Sequence, residues 1–257
     1  MKKLLVLICL FMIFSPTAVG AEGWGFKKNK EGKVPDVGSY SSMLEKHDGF
    51  YADHTGDKVV YFTFDNGYEG GYTNQVLDIL KEQEVPATFF VTGHYINSAP
   101  ELVKRMNAEG HLIGNHSWSH PDFTKISKSE MKKELDQVNY AVQNLTGQHT
   151  MPYLRPPRGT FNNSTLRLAR ELGYIHAFWS IAFVDWETNH QKGWEYAFDH
   201  IMGQIHPGAV ILLHTVSEDN ADALENLIVE LRKRGYQFGS LNDLMVKKLL
   251  PFPLVGL

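Results

Sequence analysis

Cysteine is all but missing from this chain. Its single cysteine, Cys9, lies inside an apolar run, residues 4–14, behind a bulky Ile8 where a lipid-modified cysteine would follow a small residue. The remainder has no disulfide and no thiol nucleophile to offer, and a zinc held by thiolates is excluded. That run of eleven residues is too short to span a bilayer, which takes about 20. The basic start Met1-Lys2-Lys3 and the small residues of 15–21 give residues 1–21 the build of a secretory signal peptide, with cleavage near Ala18-Val19-Gly20 or just after Ala21. An uncleaved membrane anchor is the other reading, and either one puts the protein outside the cytoplasmic membrane, on the side of the cell wall. A surplus of positive charge is lacking too. Without Lys2 and Lys3 the balance is 23 basic against 29 acidic residues with no basic stripe, which argues against nucleic acid or anionic lipid as partner. There is no internal repeat, low-complexity tract or linker. No Gly-x-Gly-x-x-Gly follows the first strand-like run, so a dinucleotide-binding fold has little support.

What remains is about 235 residues, enough for one domain with a sizeable core. Residues 22–57 are polar, rich in Gly and Lys and weakly periodic. They read as an N-terminal arm wrapping the domain, with a short helix near 40–46. From 58 to 250 short apolar runs alternate with helical patterns. Strands are expected at 59–64, 87–91, 111–114, 151–154, 175–179, 181–183, 209–213 and 237–239. Helices are expected at 74–84, 99–109, 127–145 (capped by Ser127 or Ser129 and stopped by Gly147), 163–172, 193–204 and 220–234, with a last helix after 239. Repeated strand–helix units imply a parallel sheet, and about seven of them in one α/β domain favour a barrel over an open sheet.

In a parallel barrel the active site lies at the carboxyl ends of the strands. Five polar clusters stand there: Asp65-Asn66-Gly67, His116-Ser117-Trp118-Ser119-His120, Arg155-Pro156-Pro157-Arg158-Gly159, Asp185-Trp186 and His214. Each has an ordinary reading as well. Asp-Asn-Gly favours turns, Arg155 suits a structural ion pair, Asp185 suits a helix cap, and His214 suits a satisfied core histidine. Among twelve histidines a four-residue spacing also arises by chance. On a helical turn, however, that spacing puts His116 and His120 on one face, close enough to share a metal ion. Five clusters on one rim converge far more specifically than any one alone.

In order, Thr63-Phe64-Asp65-Asn66-Gly67, His116-Ser117-Trp118-Ser119-His120, Arg155-Pro156-Pro157-Arg158-Gly159, Val184-Asp185-Trp186 and Ile211-Leu212-Leu213-His214 resemble the five motifs of the polysaccharide deacetylases, carbohydrate esterase family 4. The match spans about residues 57–245. It is most similar to the muramic-δ-lactam-forming N-acetylmuramic acid de-N-acetylases of spore-forming bacteria, in segments such as Asn66-Gly67-Tyr68-Glu69 and Ala182-Phe183-Val184-Asp185-Trp186. The resemblance implies a distorted (β/α) barrel, an exported hydrolase, and removal of an N-acetyl group from a sugar of the peptidoglycan glycan strand, with a divalent cation such as zinc as cofactor. It implies Asp65 as general base, paired with Arg155, and His214 as general acid, oriented and raised in pKa by Asp185. His116, His120 and Asn66 become metal ligands, and Arg158, Gly159, Trp186 and Leu212 substrate-binding residues. It implies no stable protein partner and a monomer.

Two positions depart from the family. Asn66 stands where most members have a metal-binding Asp, so the ligand set carries no negative charge and should hold a cation less tightly. Arg158 stands where an aromatic residue is common. Its guanidinium suits the lactyl carboxylate of N-acetylmuramic acid, since Arg matches carboxylates bidentately, and a solvated loop arginine is the ordinary alternative. Two other functions stay open: a deacetylase of N-acetylglucosamine polymers or another acetylated polysaccharide, and a non-catalytic glycan-binding protein on the same barrel.

Overall fold

The structure, a computed structural model, describes residues 20–28 and 31–249. Apart from Gly20 and Ala21, the expected secretory segment 1–21 lies outside the described residues. Among the described residues no helix is long and apolar enough to cross a membrane. The elements follow as β1 (Glu22–Gly23), α1 (Tyr40–Lys46), β2 (Val59–Asn66), α2 (Thr73–Glu82), β3 (Ala87–Val91), α3 (Gly93–Ser98), α4 (Pro100–Ala108), β4 (Leu112–Asn115), α5 (Lys128–Thr146) and β5 (Tyr153–Leu154). Then come β6 (Thr160–Phe161), α6 (Asn163–Glu171), β7 (Ile175–His176), α7 (Trp194–Met202), β8 (Ala209–His214), α8 (Glu218–Lys233), β9 (Gln237–Phe238) and α9 (Leu241–Leu249).

The expected parallel barrel is there. Its strands run in the order β7-β5-β4-β3-β2-β8, β9 adds a seventh beside β2, and every pair is parallel. No ladder joins β7 to β8, so the sheet is a curled half-barrel. The arm closes the gap. Phe50 N–H donates to the His176 carbonyl, the Phe50 carbonyl accepts from Phe178 N–H, and Asp53 N–H donates to the Gly208 carbonyl just before β8. The strands expected at 175–179 and 181–183 are thus shorter than their composition suggests. The first keeps two ladder residues before its chain turns to the arm, and the second is a single bridge, Ile181 to Ile211. The arm also pairs β1 antiparallel with β6.

Alternation along the strands sorts side chains onto two faces. Val60, Phe62 and Phe64 of β2, with Ile211 and Leu213 of β8, pack outward against Val76, Leu80, Leu224 and Leu227 of the helices. Tyr61 and Val210 point into the barrel with Phe90, Tyr153 and Phe50. Burying each such side chain stabilises the fold by about 1.5–3 kcal/mol. Continuing the inward column one strand end at a time brings Thr63 and Asp65 after Tyr61, and Leu212 and His214 after Val210. Period two therefore delivers the polar residues to the carboxyl mouth. Helix α5 begins where expected, with Ser127 and Glu130 forming a reciprocal cap, and stops at Gly147 in the left-handed region.

Candidate active site

Asp65 and Arg155 form the floor. Arg155 is fully buried, and each nitrogen of its guanidinium donates one hydrogen bond: Nη1 to Asp65 Oδ1 (2.8 Å), Nη2 to Thr63 Oγ1 (2.8 Å) and Nε to Ala177 O (2.9 Å). Its plane lies over the Phe90 ring at 4.2 Å from the centroid. Burial alone would raise the Asp65 carboxyl. The charge of Arg155, the largest of the opposing contributions, leads those that outweigh it and hold Asp65 below the usual carboxylate range. Asp65 is therefore an ionised base at neutral pH.

The two expected metal-ligand histidines do come together, with ring centroids 4.9 Å apart. They do not sit on a helical turn. Residues 116–120 form a loop with Ser117 and His120 in the left-handed region, at φ 66° and 58°. Side chains fold it: Asn115 Oδ1 accepts from Ser117 N–H (2.9 Å), Ser117 Oγ accepts from His120 N–H (3.0 Å), and Glu134 accepts from both N–H and hydroxyl of Ser119. Trp118 packs flat on the start of α3, where only glycine fits, because a Cβ on Gly93 would lie 2.2 Å from the indole. His116 Nδ1 lies 2.8 Å from the Arg155 carbonyl, which fixes the proton there and turns Nε2 toward Asp65 Oδ2, 3.5 Å away. Burial lowers the His116 pKa despite that carboxylate. Burial, reinforced by His116, pushes His120 down to about 4. Both rings are neutral imidazoles.

His214 has the opposite bias. Its Nδ1 lies 2.7 Å from Asp185 Oδ1, and its backbone N–H donates to Asp185 Oδ2 (2.8 Å). Burial disfavours the imidazolium, but Asp185 outweighs it, so the His214 pKa is raised. Nε2 is left for the cleft, with the indole of Trp186, half exposed, edge-on to the ring at 5.4 Å. Asp185 is itself held by Asn220 of α8, whose Nδ2 donates to Asp185 Oδ2 and, at 3.2 Å, to the His214 carbonyl. Asn220 went unnoticed in the sequence because it sits inside a helical pattern, 35 residues from its partner. Its one local signal is a place in the first turn after Ser217, which caps α8.

Asp65, His116, His120, Trp186 and His214 line one cleft of about 580 Å³. Leu212 gives it an apolar wall, and Trp118, Trp179 and Trp186 flank it. Arg158 is exposed on the rim with left-handed backbone, φ 58°. Among the described residues its side chain has no hydrogen-bond or ion-pair partner. Gly159 also lines the cleft, but its N–H donates to Pro156 and its carbonyl accepts from Trp24. What it offers is room, since a Cβ there would lie 2.9 Å from Trp179.

Known proteins show which family the chain belongs to. The polysaccharide deacetylase family model matches residues 52–177. The peptidoglycan-N-acetylmuramic acid deacetylase PdaA of Bacillus subtilis is 48% identical over 98% of this chain and 99% of its own length. The chain belongs to the polysaccharide deacetylase family. The solved structure of Bacillus subtilis PdaA, a family 4 carbohydrate esterase, superposes with a TM-score of 0.87 at 52% identity, over 89% of this chain and 98% of that one. An uncharacterized 30.6 kDa protein of Geobacillus stearothermophilus is 53% identical over 96% of both chains.

Polysaccharide deacetylases are metalloenzymes in general, and His116 and His120 suit a divalent cation. Among the described residues no three His, Cys, Asp or Glu side chains group as a metal site. The third ligand expected from the resemblance is the Asn66 amide. It is fully buried, its Nδ2 donates to Thr215 Oγ1 (2.7 Å), and its Oδ1 has no hydrogen-bond partner. Imidazole and amide oxygen are donor types that zinc accepts, but Asn66 continues the outward-facing row of Val60, Phe62 and Phe64 and does not line the cleft with His116 and His120.

Proposed function

We propose that this polysaccharide deacetylase removes the N-acetyl group from N-acetylmuramic acid in peptidoglycan glycan strands. The reading rests on one relationship: an ionised Asp65 and a His214 biased toward its imidazolium form face the same cleft. Amide hydrolysis needs a water made nucleophilic and a leaving amine that receives a proton. Asp65, kept charged by Arg155, takes the proton of the attacking water. His214, biased toward its charged form by Asp185, gives a proton to the departing nitrogen. The C–N bond breaks, acetate leaves and the sugar keeps a free amine. A divalent ion held by His116, His120 and Asn66 would polarise the acetyl carbonyl and acidify the water.

Identity near one half with an N-acetylmuramic acid deacetylase supports this substrate. So does Arg158, an unpaired guanidinium on the rim, suited to the lactyl carboxylate that distinguishes muramic acid from N-acetylglucosamine. Trp186 and Leu212 would pack against the sugar ring and its acetyl methyl. The freed amine and the lactyl carboxylate are the two groups that close to a muramic δ-lactam, the modification of spore cortex in which we place the product. Residues 1–21 would carry the chain, as a monomer, across the cytoplasmic membrane to that substrate. The test is acetate release from peptide-free peptidoglycan strands, with and without chelator, beside chitin oligomers. Release from the muramic strands alone, lost on chelation, is expected. Release from chitin alone would move the protein to the N-acetylglucosamine deacetylases.

A further inference from the structure

Arg158 and Gly159 stand one after the other with left-handed backbone, at φ 58° and 63°. Glycine adopts that region freely, whereas arginine stays there only where its surroundings hold it. The loop supplies two of the holds itself. Gly159 N–H donates to the Pro156 carbonyl (3.0 Å), and Thr160 Oγ1 donates to that of Pro157 (3.2 Å). The others come from the N-terminal arm, outside the segment that carries the five motifs. Trp24 N–H donates to the Gly159 carbonyl (2.8 Å), and Glu22 and Gly23 pair antiparallel with Phe161 and Thr160 directly after the turn. The Trp24 indole N–H donates to the Trp179 carbonyl (3.0 Å). Its ring is seated between arm and barrel, with centroids 5.5 Å from Tyr51 and 4.5 Å from Phe178. Arg158, Gly159 and Trp179 line the active cleft, and Trp24 does not. One arm residue thus ties the turn at 158–159 to Trp179 from outside the cleft.

We infer that Trp24 is a positioning residue for substrate choice: it holds the left-handed turn that presents the Arg158 guanidinium to the lactyl carboxylate. The inference rests on the proposed muramic substrate and names a residue of the arm on which its selection depends. A guanidinium on a turn already fixed loses less freedom on binding, so more of the carboxylate contact appears as affinity. Without the Trp24 ring, the tie to Trp179 and the packing that seats β1 are both lost. The turn is then free to leave the left-handed region, and ordering it again offsets the contact.

The experiment is titration calorimetry on the full-length protein with two muramic tetrasaccharide probes that carry no peptide stems. In both a methylsulfonamide replaces each hydrolysable N-acetyl group. One keeps its lactyl carboxylates free, and the other carries them as methyl amides. The wild type should prefer the free probe by about tenfold or more, the size of one charge-assisted contact. Trp24→Ala and the milder Trp24→Leu should cut that preference about fivefold, by weakening the free probe alone, and Trp24→Phe, which keeps a ring in place, should retain most of it. In Arg158→Ala the preference is gone, and adding Trp24→Ala should change nothing further. A preference unchanged by loss of the ring overturns the inference, as do equal losses on both probes or a further loss in the Arg158→Ala background, since a merely structural tryptophan acts without Arg158. So does a wild type that binds both probes alike. Because the probes cannot be hydrolysed, acetate release from natural strands tests the deacetylase reading separately.

Discussion

Asp65 and His214 are register partners on adjacent parallel strands, β2 and β8. Both point into the barrel at its carboxyl mouth, where each is biased by a different buried ion partner. Arg155 keeps Asp65 deprotonated, and Asp185 biases His214 toward the imidazolium form. Base and acid therefore coexist near neutral pH because strand register sets them side by side while their partners come from other strand ends.

Replacing Asp185 by Asn should remove the charge that raises the His214 pKa. Burial then dominates and the pKa falls below its ordinary value, so less imidazolium is present at neutral pH. Because the acid form is the active one, the alkaline limb of the kcat/KM profile should move to lower pH. The rate should drop by about 10²–10⁴-fold, as when a catalytic histidine loses its orienting carboxylate. A profile whose alkaline limb stays in place in Asp185→Asn contradicts the assignment of His214 as acid.

Arg155→Met should destabilise the fold by about 3–5 kcal/mol, because it leaves Asp65 as an uncompensated buried charge. The double variant Asp65→Asn/Arg155→Met should recover part of that loss, since no charge is then stranded. Urea unfolding measures both. A loss under about 1 kcal/mol in the single variant, typical of a surface pair, would show that Arg155 is not the buried partner described.

Arg158→Ala should weaken muramic glycans selectively. One charge-assisted hydrogen bond contributes about 1.5–3 kcal/mol, or roughly ten- to a hundredfold in KM. A chito-oligosaccharide lacks the lactyl carboxylate and should be affected far less. Equal losses on both would return Arg158 to a solvated loop residue.

Asn66→Asp should tighten divalent-cation binding by adding the missing negative charge, at the cost of burying a carboxylate when no cation is present. The apoprotein should melt lower than wild type, and zinc should raise its Tm by more than it raises that of the wild type. A zinc response no larger than that of the wild type would remove Asn66 from the ligand set.

Much of this was legible in the sequence. Strand–helix alternation gave the parallel barrel, and apolar runs ending in Asp65, His116, Arg155, Asp185 and His214 marked its mouth. Those signals are local, since period two and a polar break are visible within eight residues. The rest depended on partners far apart in the chain. The His116–His120 pair was expected on a helical turn, but Asn115, Ser117 and Glu134 fold it as a left-handed loop. Spacing alone does not distinguish these. Asn220 acts on Asp185 from another element. The segment 181–183 has strand composition, but the arm at Phe50 to Asp53 takes much of the gap where a strand would pair.

The most direct measurement is acetate released, and free amine formed on muramic acid, when peptide-free peptidoglycan strands meet the wild type and Asp65→Asn. Deacetylation by the Asp65–His214 pair requires acetate in an amount equal to the deacetylated muramic acid, counted as free amine plus δ-lactam, from the wild type, and at least about a 10²-fold slower release from Asp65→Asn. Muramic acid left fully acetylated by the wild type, or an Asp65→Asn variant as fast as the wild type, would contradict it.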